Sequence, residues 1–232
     1  MEELRYKQIG ELINKLNCKS VGDFASGDEQ IKNFLKKNIS YKSYNYPEYN
    51  LEKYFILKEN LDCAVLSEVF EHLRNPRVFI HSLSKSMRPG GKLILTTPNS
   101  GFLKNRIQLL FGVTPVAFFG PSSREVIFGL KYNGKDYHQL SDEERLKLDL
   151  MLHVMCYSYE ELRAILEVEG FKIIKRMKLK YSGVNSPYSK IRIIPKIINY
   201  ILPLNFQGTH FILAEKRRYI KFSKFLKNKL KP

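Results

Sequence analysis

Apolar residues along the chain keep two rhythms. Runs that are unbroken, or that alternate in steps of two, fall at 20–24, 39–44, 63–66, 92–97, 171–179 and 209–214 and predict strands. Between them apolar residues return every three or four positions and predict helices. The first helix covers 3–16, with Ile9, Leu12, Ile13 and Leu16 on one face. A second reading of this kind covers 29–37. A third opens at Asn75-Pro76, where proline suits a first turn, and carries Val78, Phe79, Leu83 and Met87. Pro89, Gly90 and Gly91 are expected to stop that helix and turn the chain. Helices are also expected at 105–111, 141–152 and 158–169. Ser141 with Glu144, and Ser158 with Glu161, have the capping-box spacing that opens the last two. Residues 46–58 hold Pro47 and little periodicity, so they read as a loop with at most one short strand.

Strands alternating with helices imply an α/β fold around a mostly parallel sheet. Such sheets bind ligands beyond the carboxyl ends of their strands. Two places fit. Asp23 lies near the end of the first strand, before the turn Ala25-Ser26-Gly27-Asp28, and a tight strand-to-helix turn offers backbone N–H groups to a ligand. The apolar run 63–66 gives way abruptly to Ser67, Glu68, Glu71 and His72.

Composition narrows the setting. The cysteines, Cys18, Cys63 and Cys156, are scattered, which fits a reducing compartment and argues against a disulfide frame or a cysteine zinc site. No apolar run reaches the length of a membrane span, and the mixed-charge start does not read as a signal peptide. A cytoplasmic protein is expected. The formal charge of +16 points to an anionic partner, either a membrane surface or a nucleic acid. In the basic tail, Phe222, Phe225, Leu226 and Leu230 share one helical face, flanked by Lys221, Lys224, Lys227, Lys229 and Lys231. That pattern suits a peripheral membrane contact. No RNA-binding motif accompanies the charge, which makes nucleic acid the weaker expectation.

The stretch DCAVLSEVFEHLRNP from Asp62 to Pro76 resembles the fourth-strand motif of class I S-adenosylmethionine-dependent methyltransferases. MRPGGKLILTTPN from Met87 to Asn99 resembles their fifth-strand motif, and His153 through Glu161 to Gly170 and Phe171 their late helix and sixth strand. The likeness spans roughly 12–180. It implies a Rossmann-like, mostly parallel seven-stranded sheet with helices on both faces and the last strand antiparallel. It also implies S-adenosylmethionine at the carboxyl ends of the first strands, with S-adenosylhomocysteine as product. One domain, 1–232, is then expected: a cofactor-binding half at 1–99, a cap insertion at 100–152, the rest of the sheet at 153–214 and a basic tail at 215–232. Matched residue by residue, the resemblance gives cofactor contacts to Asp23, Ala25, Gly27, Asn45, Asn50, Leu51 and Ser67. Two departures stand out. The family's glycine-rich turn has Ala25 at its first glycine and Glu29 at its last, and its ribose-binding acid is Asn45 here.

Methyl transfer from a sulfonium expels a neutral leaving group, so positioning supplies most of the catalysis. An oxygen acceptor must also lose its proton, which calls for a base or a metal. His72 and His153 are the candidate bases, with Glu68 and Glu71 as their catalytic neighbours. No metal is expected. The alternative reads Glu68, Glu71, His72 and His153 as ligands of a hard divalent ion such as magnesium or manganese. That spacing is similar to the one in small-RNA 2′-O-methyltransferases and ubiquinone-pathway O-methyltransferases. His81 and His210 read as structural or surface residues. The expected activity is O-methylation of a small-molecule or lipid-like acceptor. Its rivals are a binding module that kept the fold without catalysis, motivated by Ala25, Glu29 and Asn45, and an RNA-modifying methyltransferase, motivated by the charge.

Overall fold

A computed structural model describes residues 2–115, 134–145, 153–179 and 202–217. Among them, six strands form one sheet: β1 (Ser20–Phe24), β2 (Ser40–Tyr44), β3 (Leu61–Ser67), β4 (Met87–Pro98), β5 (Phe171–Met177) and β6 (Thr209–Lys216). Their order is β2-β1-β3-β4-β6-β5. The first four run parallel, and β6 runs antiparallel to both β4 and β5. The α/β architecture and the antiparallel last strand are as expected, but among the described residues the strand count is six rather than seven.

A physical reason for the missing strand lies in residues 46–58. Phe55 and Leu57 donate their backbone N–H groups to Ser82 Oγ and Ser86 Oγ, at 3.1 and 2.9 Å, on helix α2 (Pro76–Ser86). Side-chain acceptors thus replace a strand partner, and β2 is left as the sheet edge.

Side chains alternate across the sheet, as successive strand residues must. Ala64, Leu66, Leu93, Leu95, Ile212 and Ala214 face one side, with α2 and α4 (Tyr159–Val168) packed over them. Cys63, Val65, Ile94, Phe211 and Leu213 face the other, covered by Ile9 and Ile13 of α1 (Glu2–Lys15). Helices therefore cover both faces. A further helix, α3 (Leu103–Leu110), follows β4.

Local chemistry explains most boundaries. Ser158 and Glu161 form the full capping box that opens α4. Ser141 and Glu144 make the same reciprocal pair, at 2.9 and 3.2 Å, while residues 146–152 of the helix expected there lie outside the described residues. Two expectations need correction. Residues 29–37 form only the short 3-10 turn Gln30–Phe34, entered through Glu29 in a left-handed conformation. Pro89, Gly90 and Gly91 do not end a helix. α2 stops at Ser86, and these residues form an irregularity inside β4, where the register jumps between the pairs Leu61–Met87 and Cys63–Lys92. Gly91 is required there, because a Cβ would sit 2.9 Å from Arg88 O and 3.1 Å from Leu61 O.

Candidate active site

The carboxyl ends of β1 and β3 open into a cleft of about 720 Å³. One wall is the turn after β1. Ala25, Gly27 and Glu29 all have positive φ, at +51°, +58° and +55°. The backbone thus keeps left-handed positions where the family places glycine, although two of the three residues carry a Cβ. Left-handed backbone costs roughly 1–2 kcal/mol for such residues and tends to persist where function demands it. Ala25, Ser26 and Gly27 line the cleft. The Glu29 carboxylate is bound by Ser43 Oγ and Lys32 Nζ, which hold its pKa below the usual range.

Asp23 lies beneath this wall, 1% exposed. Tyr41 donates its hydroxyl to Asp23 Oδ2 at 2.7 Å, and Oδ1 has no hydrogen-bond partner. Burial raises this carboxyl to about 7. Asn45 accepts from Ser26 Oγ at 3.3 Å, one residue removed from the cleft surface. Asn50 accepts from the Glu52 N–H at 2.9 Å, and Leu51 packs against the main core. Neither is among the residues that line the cleft.

The facing wall is the end of β3. Ser67, Glu68 and His72 line it. Glu68 is itself left-handed, with φ +57°, and its N–H donates to Thr96 O at 3.0 Å. A 3-10 turn, Phe70–His72, then drives Glu71 inward until it is fully buried. Thr97 Oγ1 donates to Glu71 Oε2 at 2.8 Å, while Oε1 has no hydrogen-bond partner. Burial first, and the neighbouring Glu68 carboxylate second, push Glu71 up to about 8.

His72 Nε2 stands 4.0 Å and His153 Nε2 3.9 Å from that same Oε1. A donor atom from each of the three residues lies within 4.8 Å of the other two. Sequence reasoning named these residues and the structure brings them together. Glu68 does not join the group.

Other residues were invisible in the sequence pattern. Glu2, Glu3, Arg5 and Tyr6 of α1 complete the cleft. Only the apolar face of α1 has a readable period, and nothing in the spacing of its first turns signals a ligand. Thr97, which orients Glu71, sits inside an apolar strand run. His81 pairs with Glu169 Oε2 at 2.7 Å, and buried His210 faces Tyr157 O at 3.1 Å, with burial lowering it to about 4. Neither lines the cleft.

A family model for the methyltransferase domain matches residues 24–176. The chain belongs to that family. No curated protein matches this methyltransferase. Solved structures share its fold at low identity. One is from the complex of the Haloferax volcanii Trm112 methyltransferase activator with a methyltransferase, at 9% identity and TM-score 0.53, covering 94% of this chain and 92% of that one. Another is an S-adenosylmethionine-dependent methyltransferase from Archaeoglobus fulgidus, at 15% and 0.51, covering 93% and 94%. The mitomycin 7-O-methyltransferase MmcR matches at 7% and 0.52, over 93% of this chain and 54% of that one. This is a class I methyltransferase, and S-adenosylmethionine is its cofactor. The residues present fit that group. The glycine-type turn is retained in backbone form, nothing lies within 4 Å of where a Gly27 Cβ would be, and acids line a cleft that must receive a sulfonium and an ammonium.

Proposed function

We propose that this methyltransferase acts on an oxygen of a small, apolar or lipid-like acceptor, and that Glu71, His72 and His153 manage the acceptor's proton. The convergence of those three donors beside the cleft carries the reading. His72 lines the cleft and would take a hydroxyl proton, and Glu71 Oε1 stands 4.0 and 3.9 Å from the His72 and His153 rings, where the ionised carboxylate would favour an imidazolium. The cofactor, when bound, supplies the electrophilic methyl group; the chain's part is to hold the acceptor oxygen in line and remove its proton. Assay of hydroxyl, amine and thiol acceptors with radiolabelled donor tests this. Labelling of hydroxyl acceptors that collapses in His153→Ala supports it, and labelling of amines alone overturns it.

One observation favours a metal-assisted version. Glu71 Oε1 is a buried oxygen without a partner, and the two imidazole nitrogens face it. Donors held about 2.1 Å from one tetrahedral ion lie about 3.4 Å apart, so donors that now lie within 4.8 Å of one another would have to close by about 1 Å. Two imidazoles and one carboxylate suit manganese, iron or zinc better than magnesium. An ion held there would act as a Lewis acid toward the acceptor oxygen. Loss of activity in chelator, restored by one of these metals, selects this version; unchanged activity selects the histidine base.

The apolar character of the acceptor draws on the end of α3, where Leu110 and Phe111, the residue after the helix, are 80% and 76% exposed. The basic tail from residue 218 lies outside the described residues, but its sequence supports delivery from an anionic membrane. Liposome co-sedimentation should show the full chain bound and a chain ending at Lys216 released. Equal behaviour of the two would remove the membrane from this reading.

A further inference from the structure

α3 leaves the sheet at the same end as the cleft, because β4 runs parallel to β3. Its first turn is anchored there. Asn105 is buried and donates through Nδ2 to Asn99 O and Ser100 O at 3.3 and 3.2 Å. Arg106 donates to Gly101 O at 2.7 Å, and its guanidinium lies over the Phe206 ring. The last turn is closed as well. The N–H groups of Phe111 and Val113 donate to Gln108 O at 3.2 and 2.8 Å, and Gly112 turns the chain at φ +72°. The end of α3 is therefore an ordered knob tied to the cleft end of the sheet.

That knob is apolar on its outer side. Ile107, Leu109, Leu110, Phe111 and Val113 are all exposed. A single exposed leucine is ordinary, but large apolar side chains grouped this closely form a patch of the kind that meets lipid or another macromolecule. Charge selects among these. Lys104 and Arg106 are exposed on the same helix, and the sequence from His72 through Arg124 contains no aspartate or glutamate. Apolar side chains beside cations complement an anionic leaflet: the apolar groups reach the acyl boundary while the cations stay at the level of the phosphates. A nucleic acid would take up the cations and leave the apolar side chains in water.

We propose that the end of α3 inserts into the interfacial region of an anionic phospholipid bilayer, with Leu110 and Phe111 deepest. For its purpose this rests on the lipid-like acceptor read above: the cleft end of the sheet faces the bilayer, and an acceptor dissolved there reaches the enzyme without crossing water. The knob adds to the tail a contact that sets orientation. The chain contains no tryptophan, so Phe111→Trp gives the full-length protein a single reporter. Phosphatidylglycerol vesicles should shift its emission to shorter wavelength, and brominated phosphatidylglycerol should quench it. Tyr54→Trp, at another exposed aromatic, should stay unquenched. Leu110→Asp with Phe111→Asp should weaken vesicle co-sedimentation of the full chain roughly tenfold or more, with the melting curve unchanged because both side chains are exposed. Vesicle binding that leaves the Phe111→Trp reporter unquenched overturns the proposal in favour of the tail as the contact. Equal quenching of the two reporters overturns it in favour of unoriented adsorption, and equal quenching by phosphatidylcholine vesicles removes the role of charge. An emission shift that grows with protein concentration in the absence of lipid overturns it in favour of a second copy of this chain, and one seen with RNA but not vesicles in favour of nucleic acid. Quenching requires no turnover, so failure of the oxygen-acceptor reading and failure of this one are separate results.

Discussion

His72 and His153 meet edge to face, with ring centroids 4.9 Å apart. Neither position is near the other in sequence. What joins them is the backbone of Glu71, whose carbonyl accepts from the N–H groups of Val154 and Met155 at 2.8 and 3.1 Å. One residue thus sets both the buried carboxyl and the approach of the second imidazole. His72→Ala and His153→Ala should each cut turnover by about 100-fold or more. Affinity for S-adenosylhomocysteine should stay within about threefold of wild type for His153→Ala. Radiometric turnover and calorimetry read the two effects separately, and full activity in His153→Ala would reduce that residue to a structural role.

Ala25 holds a left-handed conformation that glycine adopts without strain. Ala25→Gly should therefore stabilise the folded chain by about 1 kcal/mol net, once the entropy that glycine adds to the unfolded state is taken from the roughly 1–2 kcal/mol of relieved strain. Thermal melting should rise by about 2–4 °C, and a fall would show that the Cβ makes a contact worth more than the strain.

Asp23 gives a pH dependence with a definite sign. Its carboxyl titrates at about 7 when folded, against an ordinary 3.8. The folded chain keeps this proton where the unfolded chain has lost it, so stability is fullest below the unfolded value and falls as pH rises through about 7. Glu68 and Glu71 are raised in the same direction, so comparison with Asp23→Asn isolates the effect. In ligand-free urea denaturation, the variant should lose part of the decline between acid and neutral pH, on the order of a few kcal/mol. Parallel pH profiles for the two proteins would show that Asp23 is not the source.

Ser86 provides the buried acceptor for Leu57 N–H. Ser86→Ala should cost about 1–3 kcal/mol by leaving that donor unmatched, measured by chemical denaturation. A neutral result would mean that residues 46–58 find another acceptor, such as a strand partner.

That contact also shows where sequence reading stops. The strands and their alternation were legible because both faces of the sheet are buried, which forces apolar residues such as Ala64, Leu66, Cys63 and Val65 into one run. The polar break at Ser67 marked the cleft for the same reason. The missing edge strand was not legible, because its backbone donors are met by serine side chains far along the chain. Gly91 carried two meanings, a turn or a close approach, and only the register of β4 against β3 decides between them. Glu71 and His153 could be named from their residue types, but their meeting depends on a carbonyl, which no side-chain pattern encodes. Arg5 had no signal at all, since one arginine at the start of an amphipathic helix is ordinary surface chemistry.

The acid lining of the cleft has a bearing on turnover. Methyl transfer removes one positive charge from the cofactor, so the carboxylates that favour the loaded form hold the spent form less tightly. A wall of this charge should favour exchange of product for fresh donor. The rest of the chain acts against it at a distance, because a protein of net charge +16 repels a cationic donor until the donor is close enough to feel the local acids. Added salt weakens the distant repulsion and, to a smaller degree, the grip inside. The rate at which the enzyme is loaded should therefore depend on ionic strength.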